Sequence, residues 1–314
     1  MGISLTILGS ASATPTPQNF PTAQLLQICE RYILIDCGEG TQLQLRKAGV
    51  AFSRIDQIYI SHLHGDHFFG LPGLLASLQL LQRKRPLQVF APKGTESIVA
   101  TIFKETGMRL SYPLQIVELS TNNSEVIYAD DKIEVRNLPL DHRIYTNGYL
   151  FKEKPELRKL DRAAVEKYPE IQIRDHSNLK NGCDFIRKDG TRIKNEWVTQ
   201  DPPNPLSYAF CSDTAYKPEL AGLLKNVSAL YHEATFLADD THLARQTKHS
   251  TAIEAAQLAL ASHAGLLLLG HFSARYKEWD AFQREAETQF KPVRLTRAGE
   301  VLEIARGNPK IAVS

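Results

Sequence analysis

Ser61-His62-Leu63-His64-Gly65-Asp66-His67 sets three imidazoles and one carboxylate within six positions. The run follows Ile55-Asp56-Gln57-Ile58-Tyr59-Ile60, whose apolar, β-branched residues predict a buried strand. Beyond it, the Leu-rich, Gly-punctuated segment 69–82 predicts a helix. Strand, ligand-rich loop and helix in succession form a unit of an α/β fold. Imidazole and carboxylate are zinc ligands, and a loop at a strand end can turn several of them toward one point. A solvated histidine-rich loop is the competing reading. The position between strand and helix favours a metal-dependent enzyme.

Working outward, short apolar strands alternate with helical patterns from residue 3 to about 150. Strands are expected over 3–8, 24–29, 32–36, 87–90, 116–119 and 133–138, and helices over 43–47 and 95–106. Core-like patterns resume at 206–212, 229–231 and 266–269, with an Ala- and Leu-faced helix over 250–263. The segment from about 151 to 200 differs. It carries 12 Lys/Arg against 9 Asp/Glu, and its apolar residues follow no strong period. A short helix over 157–167 and a hairpin turning at Asp189-Gly190 are expected there. Its charge fits a solvated surface insertion as well as a nucleic-acid contact.

The 314 residues, 43% hydrophobic and 23% charged, suffice for an ordinary globular core. A net charge of +2 says little about partners. No apolar stretch is long enough to span a bilayer, so no membrane association is expected. Met1-Gly2-Ile3-Ser4-Leu5 enters a strand pattern without a basic region, so no signal peptide is expected. Met1-Gly2 opens a myristoylation pattern, but a strand there would bury the segment. Cys29, Cys37, Cys183 and Cys211 form no C-x-x-C pair. Cys29 and Cys37 lie in strand-like runs that suit buried thiols, and a reducing cytoplasm is the expected location.

His62 and His64 share one face of an extended segment, whereas Asp66 and His67 can face a second point nearby. Two coordination shells need more ligands. His142, Asp213 and His271 each follow or end a strand-like run. A lone His or Asp at a strand end is often only a cap, so spacing alone leaves these three open.

The pattern His62-x-His64-x-Asp66-His67, with His142, Asp213 and His271, resembles the metallo-β-lactamase superfamily. Within it the chain is similar to the short form of the ribonuclease Z family, endonucleases that process tRNA 3′ ends. The further matches are Ile7-Leu8-Gly9-Ser10, Ile35-Asp36-Cys37-Gly38-Glu39-Gly40-Thr41-Gln42, His232-Glu233-Ala234-Thr235-Phe236, His249-Ser250-Thr251 and Ser273-Ala274-Arg275-Tyr276. The zinc run is specific for the superfamily only; the late motifs are specific for the ribonuclease.

The resemblance implies an α/β fold, a four-layer αββα sandwich formed by one domain over 1–314. An inserted arm at about 151–200 would protrude from it and grip tRNA. It implies two Zn2+ per subunit, one held by His62, His64, His142 and Asp213, the other by Asp66, His67, Asp213 and His271. The implied reaction is endonucleolytic removal of 3′ trailers from precursor tRNA, leaving a tRNA 3′-hydroxyl and a 5′-phosphate on the trailer. Asp66 would orient water or take its proton, His249 would protonate the leaving ribose oxygen, and Glu233 would orient His249. Family members are usually homodimers. The chain departs from the family in two places. The Gly-Pro step of bacterial arms is replaced by Tyr168-Pro169 at best, and Thr14-Pro15-Thr16-Pro17-Gln18-Asn19-Phe20-Pro21 lacks the usual basic residue.

Two other readings compete: a glyoxalase II-like thioesterase or lactamase sharing the zinc run, and a non-enzymatic RNA-binding protein on a decayed hydrolase fold. His176, His242 and His263 have no motif support. Arg275 reads as a solvated or paired side chain more readily than a phosphate contact. Arg83-Lys84-Arg85 is expected to complement the dipole of the preceding helix.

Overall fold

Continuous apolar runs such as Leu266-Leu267-Leu268-Leu269 suit strands with both faces buried, and that is how the chain uses them. The structure is a computed structural model that describes residues 2–16 and 19–306. Contacts divide the chain into two compact units. The segment Glu153–Pro205 forms one, and the chain on either side of it forms the other.

The larger unit contains two seven-stranded mixed sheets. The first runs Val301–Ile304, Ile3–Gly9, Ala23–Ile28, Arg31–Ile35, Ile55–Tyr59, Leu87–Pro92, Leu114–Leu119. It is antiparallel as far as Arg31–Ile35 and parallel from there on. The second runs Val293–Leu295, Leu267–Gly270, Ala229–Glu233, Ser207–Cys211, Asn147–Glu153, Ile133–Pro139, Val126–Ala129. Its first four strands pair in parallel, and Ser207–Cys211 meets Asn147–Glu153 antiparallel.

Alternation along each strand sorts the side chains into layers. Ile3, Leu5, Ile7, Ile33 and Ile35 of the first sheet share one buried cluster with Tyr208, Phe210, Tyr231 and Leu268 of the second. Tyr59 stacks on Phe90 with ring centroids 4.6 Å apart and meets Phe151 of the other sheet edge-on at 5.2 Å. The intervening residues Leu25, Leu34, Ile58 and Val89 point the other way, onto Leu45, Leu71, Leu74 and Leu78 of the helices Thr41–Lys47 and Gly70–Leu80. On the second sheet Ala209, Leu230, Leu267 and Leu269 pack on Ala252, Ala255, Ala256 and Phe282 of the helices Ala252–Ala261 and Asp280–Glu287. Helix, sheet, sheet, helix is the four-layer αββα order expected. Each fully buried Leu or Ile contributes about 1.5–3 kcal/mol relative to an exposed one.

Two local devices set where helices begin beside the polar strand ends. Gly70 opens its helix against the loop after Arg31–Ile35; a Cβ there would stand 2.1 Å from the Gly38 carbonyl oxygen. Ala252–Ala261 starts at a capping box, in which Thr251 Oγ1 accepts from Glu254 N at 3.2 Å and Glu254 Oε2 accepts from Thr251 N at 2.9 Å.

Several expectations need correction. The helix expected over 69–82 is present as Gly70–Leu80; the single turn Gly65–Phe68 before it, inside the ligand run, was not expected. Cys29 is not in a strand. Cys29 and Glu30, at φ 46° and 67°, form the two-residue turn joining Ile28 to Arg31, and the thiol is half-buried. Arg83 does not serve the helix dipole. It is buried, donates to Asp56 Oδ1 at 2.9 Å and to the Arg85 carbonyl at 2.7 Å, and so fixes the chain between helix and strand. No disulfide joins any of the four cysteines, and Cys37 and Cys211 are buried. Among the described residues, no helix is long and apolar enough to cross a membrane.

The smaller unit is built from short pieces. Lys159–Leu160 pairs with Thr199–Gln200, and Phe185–Ile186 with Arg192–Ile193. Ile171, Leu179, Ile193 and Val198 form its own buried cluster. The helix expected over 157–167 is one turn, Arg162–Val165, capped by Asp161, which accepts from Ala164 N at 3.1 Å. The turn at Asp189-Gly190 is present, with Gly190 at φ 85°.

Candidate metal centre

The decisive run leaves strand Ile55–Tyr59 and is pinned at both ends by one carboxylate. Asp36, at φ 57° just past strand Arg31–Ile35, accepts from Ser61 N at 2.7 Å, from Ser61 Oγ at 2.9 Å and from His67 Nδ1 at 2.6 Å. Ser61 Oγ in turn lies 3.0 Å from His62 Nδ1. His142 Nδ1 donates to the Lys248 carbonyl at 2.9 Å, and His271 Nδ1 lies 2.9 Å from Thr235 Oγ1. Each of these four rings is thereby held by its Nδ1, which leaves Nε2 free to bind; such outer partners fix both ring orientation and tautomer. His64 instead brings its Nδ1 to within 2.9 Å of His62 Nε2.

Ligand atoms of His62, His64, His142 and Asp213 all lie within 4.8 Å of one another, and so do those of Asp66, His67 and His271. Asp213 divides its oxygens between the two groups. Oδ2 is 3.6 Å from His62 Nε2 and 3.8 Å from His142 Nε2, whereas Oδ1 is 3.3 Å from His67 Nε2 and 3.2 Å from His271 Nε2. Asp66 Oδ2 lies 3.4 Å from His67 Nε2 and 3.5 Å from His271 Nε2, and accepts from Ala13 N at 2.8 Å.

This arrangement fits a cation. Asp36 and Asp213 are buried and Asp66 nearly so, yet the side chains paired with them are imidazoles rather than Lys or Arg. His142 Nε2 is buried with no hydrogen-bond partner. A buried carboxylate needs a compensating charge, and an orphaned imidazole nitrogen needs an acceptor or a metal. The His and Asp donor set suits divalent metals such as zinc.

Beside the cluster stands a second constellation. Glu233, fully buried at the end of strand Ala229–Glu233, lies 2.8 Å from His249 Nδ1 through Oε1. The same oxygen accepts from Thr214 N at 2.8 Å; Oε2 accepts from Thr235 Oγ1 at 2.6 Å and Thr235 N at 3.2 Å. Burial works against charge on His249, but the Glu233 carboxylate, helped by Asp213, raises it to about 9. Burial likewise opposes ionisation of Glu233, and His249 holds its carboxyl below the usual range. Lys248, in a left-handed conformation (φ 56°), ends helix Thr241–Thr247 and turns His249 toward the cluster, where its ligand atom lies within 4.8 Å of those of Asp213 and His271.

All seven expected ligands, with His249 and Glu233, are thus brought to one place. His176, His242 and His263 lie elsewhere: at the start of His176–Lys180, within Thr241–Thr247 and exposed after Ala252–Ala261. Arg275 pairs with Asp240 at 3.6 Å and lies over the Phe236 ring. Sequence patterns assign no role to Asp36 or Thr235. Their signal is weak: a carboxylate directly after an apolar strand, and a hydroxyl two residues beyond Glu233.

Over 289 residues the chain is 40% identical to the Ribonuclease Z of Porphyromonas gingivalis, a match covering 92% of this chain and 95% of that protein. The chain belongs to the ribonuclease Z family. The Ribonuclease Z of Cytophaga hutchinsonii is 41% identical over 301 residues, 95% of each chain. Among solved structures, human tRNase Z, short form, is similar with a TM-score of 0.71 at 25% identity, covering 96% of this chain and 99% of that one. The metallo-beta-lactamase fold protein YhfI from Bacillus subtilis shares the fold, with a TM-score of 0.67 at 17% identity over 96% of this chain and 100% of its own. A family model described as Anti-Pycsar protein Apyc1 matches residues 3–130, which hold the His62–His67 run but none of the later candidate residues. The αββα sandwich is therefore the metallo-β-lactamase fold, and in this ribonuclease Z chain the His and Asp cluster is a metal centre.

Proposed function

We propose that this chain is a metal-dependent endoribonuclease that removes 3′ trailers from precursor tRNA, leaving a 3′-hydroxyl on the tRNA and a 5′-phosphate on the trailer. One observation carries the reading: in a ribonuclease Z chain, Asp213 faces two ligand groups at 3.2–3.8 Å, directly beside a Glu233–His249 pair at 2.8 Å. The proposed metals are two zinc ions per subunit, one on His62, His64, His142 and Asp213 and one on Asp66, His67, Asp213 and His271. Two such ions supply Lewis-acid neutralisation of phosphate oxygens and acidify water at neutral pH.

The protein's own groups do the rest. Burial disfavours charge on Asp66, but His67 and His271 hold its carboxyl well below the usual range. Asp66 would orient the attacking water or take its proton. The ribose 3′-oxygen is a poor leaving group unless protonated. His249 has Nδ1 committed to Glu233, so only Nε2 is free to deliver that proton. Glu233 fixes the tautomer and favours the charged ring.

The segment 151–200, with 12 Lys/Arg against 9 Asp/Glu, supports contact with tRNA phosphates by an inserted arm. A homodimer is supported by exposed apolar side chains. Leu43, Leu80, Leu81 and Phe69 lie on or beside two helices joined by a 3.1 Å bond from Gln42 Nε2 to Ser77 Oγ. Four cysteines without a disulfide suit a reducing cytoplasm.

The test is cleavage of a precursor tRNA transcript with the cut mapped. Scission at the tRNA–trailer junction, lost on chelation and restored by zinc, is expected. Preferential turnover of a small ester or thioester would overturn the reading.

A further inference from the structure

Thr235 Oγ1 stands between the two halves of the site: 2.9 Å from His271 Nδ1, 2.6 Å from Glu233 Oε2 and 3.3 Å from His249 Nδ1. A hydroxyl has one proton to give and can accept at its lone pairs. His271 turns Nε2 toward Asp213 Oδ1 at 3.2 Å and Asp66 Oδ2 at 3.5 Å. With Nε2 facing the metal side, a neutral ring carries its proton on Nδ1, which donates to Thr235 Oγ1. The hydroxyl proton then has one good acceptor, Glu233 Oε2. Glu233 Oε1, on the far side, takes the proton of His249 Nδ1 at 2.8 Å. The directions are fixed from end to end.

We propose that Thr235 is a positioning residue that ties the His271 side of the metal centre to the Glu233–His249 pair through one directed hydrogen-bond chain. The inference rests on the proposed function and adds to it: occupancy at His271 and the aim of His249 are set together. His271 has particular need of such a hold. Its backbone is at φ 61°, a region that favours glycine, and its N–H is fixed to the Ser10 carbonyl at 2.9 Å. The ring packs against those of His67 and His249, and the Thr235 hydroxyl is the group that meets its Nδ1. The exposure is consistent with a dry link, since Thr235 is 4% exposed and Glu233 0%.

Thr235→Val keeps the shape and removes the hydroxyl; Thr235→Ser keeps the hydroxyl. Zinc affinity of the full chain is read by competition with a chromophoric chelator, with zinc alone as the ligand. Cleavage of precursor tRNA is read at saturating zinc. The valine variant is expected to hold one zinc equivalent about 10- to 100-fold more weakly, the effect usual for losing an outer partner of a ligand. Its kcat is expected to fall while KM stays within about twofold, because substrate binding is untouched. Serine is expected to restore both properties. Valine binding zinc as tightly as the parent, or serine failing as badly as valine, overturns the proposal. If the valine variant is unfolded by circular dichroism, Thr235→Ala replaces it and the same readouts decide. A parent chain that binds zinc but does not cut precursor tRNA sinks the functional reading, while the zinc competition still decides the role of Thr235.

Discussion

Replacing His249 with alanine should slow trailer removal severely while leaving the metals in place. A positioned general acid contributes about 10²- to 10⁴-fold, and the structure argues for the upper part of that range. His249 is raised to about 9 by the Glu233 carboxylate, against the effect of burial. The charged acid therefore dominates at neutral pH, and its loss leaves the departing alkoxide without a proton. A loss of about 10³- to 10⁴-fold corresponds to roughly 4–5.5 kcal/mol of barrier. The fold should survive. Glu233 would lose an ion pair at 2.8 Å but keep donors from Thr214 N, Thr235 N and Thr235 Oγ1. The cost is then nearer the ~1–3 kcal/mol of a lost hydrogen-bond partner than the ~3–5 kcal/mol of a stranded buried charge.

Glu233→Gln attacks the same pair from its other side. Whichever way the amide turns, its NH2 meets a donor: Thr214 N and His249 on one side, the Thr235 hydroxyl and amide on the other. Because the two residues act as a unit, the double variant should be no slower than His249→Ala alone. The assay is single-turnover cleavage of end-labelled precursor tRNA with enzyme in excess, alongside metal content by atomic emission. Three results refute the reasoning: His249→Ala cleaving at nearly the parent rate, His249→Ala losing a metal equivalent, or a double-variant loss equal to the product of the two singles.

Asp213→Asn should deplete both metal sites at once, since its oxygens face both ligand groups at 3.2–3.8 Å; retention of one full equivalent by metal analysis would show that it serves a single ion. Deleting residues within Glu153–Pro205 and closing the gap with a short linker should weaken precursor tRNA binding, by gel shift, while sparing hydrolysis of bis(p-nitrophenyl) phosphate; equal loss of both would make the segment structural. Gly70→Ala should destabilise the fold by about 1–3 kcal/mol or more, because its Cβ would meet the Gly38 carbonyl oxygen at 2.1 Å and backbone must shift. A melting temperature equal to that of the parent would show that the loop after Arg31–Ile35 yields freely.

The His62–His67 run was legible as a candidate metal site from residue type at a strand end; His142, Asp213 and His271 were left open by spacing and joined to it only by the family resemblance. His62, His142, Asp213 and His271 each come just after a strand of buried side chains. What escaped the sequence lacked that signature. Strand Val126–Ala129 is largely exposed at the sheet edge and shows no alternation to read. Strand Asn147–Glu153 begins with Asn-Gly, ordinarily a turn signal. Here tertiary contacts override it: Asn147 N bonds the Ser61 carbonyl at 3.0 Å, and a Cβ on Gly148 would stand 2.6 Å from the Phe210 carbonyl oxygen. The glycine serves close approach of two strands rather than a turn. Asp36 and Thr235 escaped for a different reason. An outer partner is defined by which ring it touches, and that contact exists only once distant strands are side by side.

The same geometry explains why so polar a cluster is tolerated inside the protein. The ligands come from both sheets: His62 to His67 from the first, His142, Asp213 and His271 from the second. Each sheet is stiffened by apolar layers on both faces, so the ligands meet at a rigid seam and cannot relax apart. Asp36 and His271 are held there at φ 57° and 61°, conformations that non-glycine residues keep only when their surroundings over-determine them. Buried carboxylates, crowded imidazoles and strained backbone all disfavour the fold without a cation. Metal binding offsets those costs, because anything that binds only the folded chain stabilises it by mass action. Stability and catalysis are therefore coupled in this chain. The apolar layers supply the rigidity that forces the donors together, and the forced donors supply the affinity for metal.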